Sequence, residues 1–264
     1  MRLSEYIDFL IAHGKCCFSL DEAEEYLGKK RSLVIKAINH QKKLGRIASP
    51  AKGFYVIVSP EYRIYGCLPA EYFIPYLMKY WEQDYYAGLL TAALYHGASH
   101  QKPQIFQVIT NKKRPVVYCG KIKVVFYLKK WFNNIAFQNF STSKGILKIS
   151  TPEQTAIDLF LYSKQSGGIN HIATVLAELS EAINSEKLLS LIQKHPYGAW
   201  QQRMGYLFDE LGEKKLATAV EQNIQAQKRI IYIPLAAMLQ KTNKKYKRDK
   251  KWKIIINSTI ETDL

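Results

Sequence analysis

The chain has 264 residues, 47% hydrophobic and 23% charged, with a formal net charge of +16. That hydrophobic share excludes wholesale disorder, and no apolar run reaches the ~18 residues a membrane-spanning helix needs. The opening MRLSEYIDFLIAHGK carries acids early and offers no small-residue cleavage site, and Cys16, Cys17, Cys67 and Cys119 form no CxxC, so the reading is a cytoplasmic protein with reduced thiols and no membrane partner, disulfide framework or zinc site.

The first elements are helical. Leu3, Ile7, Leu10 and Ile11 recur at helical spacing up to Gly14, predicting a helix over about 3–13. CCFSL follows as a short extended connector. Ser19-x-x-Glu22 fits a capping box, in which each side chain satisfies a backbone N–H at the start of a second helix that Gly28 ends. A third helix, KRSLVIKAINHQKKLG, closes at Gly45; Leu33, Val34, Ala37, Ile38 and Leu44 mark its expected buried stripe. IAS, a turn at PAKG and FYVIVS then predict a two-stranded hairpin.

Three short helices and a basic hairpin predict a winged helix-turn-helix. Residues 29–53 hold eight Lys/Arg and no acid. The third helix presents Arg31, Ser32, Lys36, Asn39, His40, Lys42 and Lys43 away from its stripe, with no carboxylate to face a phosphate. Ser32, Ile35, Lys36 and Asn39 are placed for base edges, where Asn pairs with adenine and Lys donates to guanine. Lys42, Lys43 and Arg46 suit backbone phosphates, and Lys52 sits at the tip of the wing. A bland surface role for His40, and a winged helix used for protein contacts, are the competing readings.

After Pro69 the sequence turns helical, and DYYAGLLTAALYHG predicts a helix over roughly 85–96. IFQVIT (105–110), VVYC (116–119), KIKVVFYL (121–128) and ILKIS (146–150) read as strands of a β meander, with a tight turn at Cys119-Gly120. Thr151-Pro152-Glu153 is a helix start. HIATVLAELSEAI, SEKLLSLIQKH, AWQQRMGYLFDELG and EKKLATAVEQNIQAQ continue as a helix cluster, followed by RIIYIPL, a basic loop and WKIIIN as a strand. The fold class is therefore α+β: a winged helix-turn-helix over residues 1–60, then a larger mixed domain over 61–264 with a β meander and a helix cluster.

Two further basic zones lie in that larger part. Residues 85–152 hold ten Lys/Arg and no acid, and residues 241–253 hold eight with Asp249 alone against them; the three zones carry +25 and the remaining residues −9. Clustered positive charge on a mildly acidic protein points to a polyanion. Lys112, Lys113, Arg114, Lys121, Lys123, Lys129 and Lys130 are candidates for secondary DNA contacts. No phosphate-binding, hydrolase or metalloprotease motif is present, and Asp158 reads as a structural hydrogen-bonding residue. No catalytic residue, metal or cofactor is expected. The residues alone leave two alternatives to a DNA-binding regulator: a nuclease targeted by a winged helix, and an adaptor that holds another protein stably.

Four stretches carry a resemblance: EYFIPYLMKYWEQDYYAGLLTAALYHGASHQKPQIFQVIT (71–110), ISTPEQTAIDLFLYSKQSGGINHIATVLAEL (149–179), WQQRMGYLFDELG (200–212) and RDKKWKIIINSTIETDL (248–264). Together with the N-terminal unit they resemble the AbiEi antitoxins of type IV, abortive-infection toxin–antitoxin systems. The resemblance implies a bacterial cytoplasmic protein, at the nucleoid when on DNA, whose winged helix represses its own operon at inverted repeats in double-stranded DNA. It also implies that the C-terminal domain counteracts a nucleotidyltransferase-like toxin without requiring a stable complex, and that basic residues of that domain help hold DNA. The shared positions Tyr85, Tyr86, Gly88, His96, Gly97, Thr151, Pro152, Glu153, Asp158 and Gly168 fit a role in holding the fold. The lysine-rich KTNKKYKRDKKWK departs from the family's pattern.

Overall fold

The computed structural model describes residues 2–98, 103–129, 132, 135–227, 230–236 and 246–260. Lys130, His100 and residues 241–245 of the third basic zone lie outside them. The chain divides into two units, the first built from residues 1–87, 104–132 and 138–149, the second from 88–103, 133–137 and 150–264. Both mix helices and strands, so the fold is α+β.

In the first unit, helix α1 (Leu3–Ala12) begins with the Glu5 carboxylate accepting the Arg2 N–H at 2.8 Å. Strand β1 (Cys17–Ser19) leads into α2 (Leu20–Leu27), whose capping box is formed: Ser19 Oγ accepts from Glu22 N at 3.1 Å and the Glu22 carboxylate from Ser19 N at 2.6 Å. Helix α3 (Arg31–Lys43), β2 (Ile47–Ala51) and β3 (Phe54–Ile57) follow. The strands form an antiparallel sheet in the order β1-β3-β2, with Phe18 opposite Tyr55 and Ile47 opposite Ile57. CCFSL is thus a paired strand rather than a connector: Phe18 is fully buried and needs a neighbour, and β3 supplies it. Leu3, Ile7, Leu10, Phe18, Val34, Ile38 and Ile57 share one core. Each such side chain contributes about 1.5–3 kcal/mol on burial.

A 3-10 turn (Pro60–Tyr65) and helix α4 (Ala70–Tyr80) come next. Strands β4 (Tyr85–Ala87), β5 (Phe106–Thr110), β6 (Val117–Cys119), β7 (Ile122–Leu128), β8 (Phe137–Thr142) and β9 (Gly145–Ser150) make a six-stranded sheet ordered β6-β7-β5-β4-β9-β8. This corrects the expected meander. The β6–β7 hairpin is antiparallel as read, but β5 runs parallel to β7, with Val108 opposite Phe126, and β4 runs parallel to β9. Strand β7 is the longest and buries Val124 and Phe126, so it takes an interior position and leaves three-residue β6 at the edge. The helix expected over 85–96 is also corrected. Tyr85–Ala87 pair with β5, and helix begins only at Leu89.

Gly120, at φ +58°, is required in the β6–β7 turn. A Cβ there would lie 2.1 Å from the Tyr65 carbonyl oxygen, which accepts the Lys121 N–H at 2.7 Å. Within this unit β2 packs on β6, and α4 packs on β1, β3 and β7.

The second unit holds α5 (Leu89–Tyr95), α6 (Pro152–Leu161), α7 (Gly168–Leu179), α8 (Ser185–Gln193), α9 (Ala199–Glu210) and α10 (Lys214–Gln225). Thr151 caps α6 through Gln154 N, with Pro152 at the first position, as the sequence predicts. A small sheet ordered β10-β12-β11 joins Ile233–Pro234 (β10), Lys247–Asp249 (β11) and Ile254–Ile256 (β12); β11 lies in what reads as basic loop. Trp252 anchors it. Its indole N–H donates to the Asp209 carboxylate at 2.6 Å, its carbonyl accepts from Gln202 at 2.8 Å, and its ring lies against Gly205 of α9.

Candidate nucleic-acid interface

Helix α3 buries Val34, Ile38 and Gln41. The two leucines expected in its stripe are turned out, Leu33 at 51% and Leu44 at 53% exposure, while Gln41 is 8% exposed. With about 3.6 residues per turn, the face opposite Val34, Ile38 and Gln41 is Ser32, Lys36, Asn39 and Lys43. All four are exposed. Ile35 flanks that face on the side of Asn39, one turn along, and Leu33 flanks it on the side of Lys36 and His40. Lys42 is also exposed.

Not every basic group on this surface is available to an anion. The Arg31 guanidinium sits 2.9 Å from Asp21 and 3.0 Å from Glu24, both on α2, and the hydrogen bond to Asp21 holds its pKa above the usual arginine value. Arg46 is 2.6 Å from Asp8 of α1. By contrast, Lys36, Lys42, Lys43 and Lys52 are exposed and form no ion pair among the described residues.

Lys52 lies in the β2–β3 turn, and that turn is braced from outside. Tyr80 at the end of α4 donates its hydroxyl to the Lys52 carbonyl at 3.2 Å and stacks on Phe54 with ring centroids 5.3 Å apart. Gly53 has φ +76°, and its carbonyl accepts the Leu20 N–H at 2.8 Å.

The second basic zone is dispersed over the six-stranded sheet. Lys112, Lys113 and Lys121 are exposed. Arg114 lies over the Trp81 ring at 4.5 Å and donates to Gln83. The Lys123 ammonium lies 5.7 Å from the centre of the exposed Tyr118 ring. Lys129 is set apart: it is 6% exposed, and its ammonium donates to the Tyr86 hydroxyl at 3.2 Å. In the third zone, Lys251 is paired with Asp209 at 2.8 Å and Glu221 at 3.4 Å, while Arg248 and Lys253 lie over the Tyr232 ring.

Other reactive side chains are held inside. Among the described residues no group of three or more His, Cys, Asp or Glu could hold a metal ion. The thiol of Cys67 is pushed up by its hydrogen bond with Cys119 and by burial. His96 Nε2 donates to the Ser150 carbonyl at 2.7 Å, and burial lowers its pKa. Asp158 is fully buried and accepts from Gln154 at 3.0 Å. No helix of the described residues is long and apolar enough to cross a membrane.

Residues 86–210 match the family described as the AbiEi antitoxin C-terminal domain. Among solved structures, the RV2827C protein from Mycobacterium tuberculosis is similar in fold, with a TM-score of 0.68 and 13% identity over 96% of this chain and 90% of that one. At that identity the likeness is one of fold alone. No curated protein matches the chain.

Proposed function

Through residues 86–210 the chain belongs to the AbiEi antitoxins, and from that premise we propose a cytoplasmic antitoxin that also represses its own promoter. Residues 1–60 act as a winged helix-turn-helix on inverted-repeat duplex DNA, and residues 61–264 counteract a nucleotidyltransferase-like toxin without forming a stable complex. The observation that carries the DNA half is the face of α3. Ser32, Lys36, Asn39 and Lys43 lie together, exposed and free of carboxylates, opposite Val34, Ile38 and Gln41. Support also comes from the chain order of α1, α2 and α3, followed by a hairpin whose tip carries Lys52.

In this reading Ser32, Lys36 and Asn39 meet base edges, and Lys42, Lys43 and Lys52 meet phosphates. Arg31, His40 and Arg46 border the same surface, with Arg31 engaged by Asp21 and Glu24 and Arg46 by Asp8. Lys112, Lys113, Arg114, Lys121 and Lys123 extend the positive surface along the sheet. Lys129, expected among these contacts, is instead buried against Tyr86 and is not part of that surface, and Lys130 lies outside the described residues.

The test is a titration of the full chain against a labelled duplex from upstream of its own gene and a scrambled duplex of equal length. The wild type should prefer the promoter, and replacement of Lys36 and Asn39 by alanine should remove that preference. Preference left unchanged in that variant refutes the base-reading role of α3. For the antitoxin half, co-expression with the adjacent toxin gene should restore growth, while the two proteins elute separately on size exclusion. Failure to restore growth, or stoichiometric co-elution, refutes the mode of neutralisation proposed.

A further inference from the structure

The outward surface of α3 carries two large apolar side chains: Ile35, which its position brings to base edges without naming a chemical partner there, and Leu33, which the DNA-reading proposal does not use. Leu33 is 51% exposed and Ile35 is 38% exposed, on the first turns of a helix whose other outward residues are polar or basic. Burial inside the protein does not account for them, because Val34, Ile38 and Gln41 fill the inward face. Leu44 is also exposed, at the far end of the helix, but Leu33 and Ile35 stand beside the polar face near its start, and there they have a chemical counterpart. The major groove offers one apolar group, the C5 methyl of thymine.

We infer that Ile35, with Leu33 on the other flank, reads thymine methyl groups, so that α3 selects A·T pairs by their methyl groups as well as by hydrogen bonds. This inference rests on the proposal that α3 enters duplex DNA. Ile35 and Asn39 are four residues apart and therefore neighbours on one side of the helix. Asn39 can take adenine N6 and N7, and Ile35 can then pack on the methyl of a thymine one step along the groove. Leu33 stands beside Lys36 and His40, the opposite flank, so the two apolar groups bracket the polar face instead of interrupting it. Lys36, Lys42 and Lys43 supply the charge complementarity that brings phosphates to this surface. The carboxylates nearest the N-terminal end of α3, Asp21 and Glu24, are engaged by Arg31.

The experiment uses the full chain and the same promoter duplex made with deoxyuridine in place of every thymidine. This swap deletes the C5 methyl and leaves the hydrogen-bonding edges and charge intact. Wild-type affinity should fall by about fourfold for each methyl contacted, the worth of burying one such group. Ile35→Ala should lose a similar factor on the thymidine duplex and little more on the deoxyuridine duplex, with Leu33→Ala behaving likewise. Lys36→Ala should weaken binding yet keep the full difference between the two duplexes, whereas Ile35→Ala should lose most of it; a general change in DNA shape would preserve the difference in both variants. Equal wild-type affinity for both duplexes overturns the inference, as does an Ile35→Ala, Leu33→Ala double variant that still discriminates fully. Absence of any promoter preference in the wild type overturns the DNA reading itself, and this inference with it.

Discussion

The ion pairs around α3 make the salt dependence of DNA binding a quantitative check on which cations act. Three ammoniums assigned to phosphates, Lys42, Lys43 and Lys52, are exposed and without an acid partner among the described residues, whereas Arg46 is bound by Asp8 at 2.6 Å. At about −0.9 per neutralised phosphate, these three should contribute about −2.7 to the slope of log K against log salt. Replacing Lys42 and Lys43 by alanine should remove about −1.8 of that slope and weaken all duplexes alike. Asp8→Asn removes the partner of Arg46 and frees one more cation, steepening the slope by about 0.9 while changing promoter preference little. The assay is fluorescence anisotropy between about 50 and 300 mM salt, on both promoter and scrambled duplexes. The reasoning fails if the double lysine variant keeps the wild-type slope, since phosphates would then be met elsewhere. It fails equally if Asp8→Asn leaves the slope unchanged.

Three further predictions concern the scaffold. In α9, Gly205→Ala should gain up to about 1 kcal/mol of helix propensity but lose more, because the added Cβ would lie 2.0 Å from Trp252 Cζ3; a net loss of about 2–3 kcal/mol in a urea titration followed by tryptophan fluorescence is expected, and a net gain refutes the packing argument. Gly53→Ala strains a residue at φ +76° and drives a Cβ to 2.7 Å from the Tyr80 hydroxyl, so it should cost about 1–2 kcal/mol and weaken all DNA; adding Tyr80→Phe removes that oxygen and should restore part of the stability, whereas strictly additive losses would refute the clash. Burial depresses His96, so the unfolded chain takes up its proton at higher pH than the folded one. The His96 contribution is complete above an unfolded pKa of about 6.5 and is lost as pH falls through the lower folded value. Thermal melts from pH 8 down to pH 5 should show that loss in wild type and a shallower one in His96→Gln; parallel curves would refute it.

Local chemistry was legible in the chain, and long-range pairing was not. Ser19 with Glu22, Thr151 with Pro152, and the Cys119-Gly120 turn each depend on residues within a few positions of one another, and each is formed as read. Tyr85–Ala87 read as helix because YYA runs into LLTAALY without a break strong enough to separate them. Its strand state comes from β5 and β9, partners 20 or more residues away. The parallel pairing of β5 with β7 has no local signal, since a tight turn announces only antiparallel neighbours. Strand β8 (FQNFST) carries no local signal: exposed along nearly its whole length, it shows none of the inward alternation that marks a half-buried strand.

At the candidate interface, the positions of Lys36, Asn39, Lys42, Lys43 and Lys52 could be read from helical phase and from the turn. Leu33 could not. Hydrophobicity assigns it to the stripe, while a buried face centred on Val34, Ile38 and Gln41 leaves it outside. The acid partners of Arg31 and Arg46 were equally hidden, because Asp21, Glu24 and Asp8 lie on other helices.

The brace from Tyr80 to the β2–β3 turn bears on the rate at which this surface can engage a duplex. A loose wing would have to be ordered during each encounter, adding an entropic barrier after collision. Held from outside by the end of α4, the turn would meet the groove of the proposed DNA complex already in shape. Capture then depends on orientation and on the pull of the lysines, so association should be fast, steeply sensitive to salt and only weakly sensitive to the base sequence. Discrimination between sites falls to the lifetime of the complex once α3 is seated.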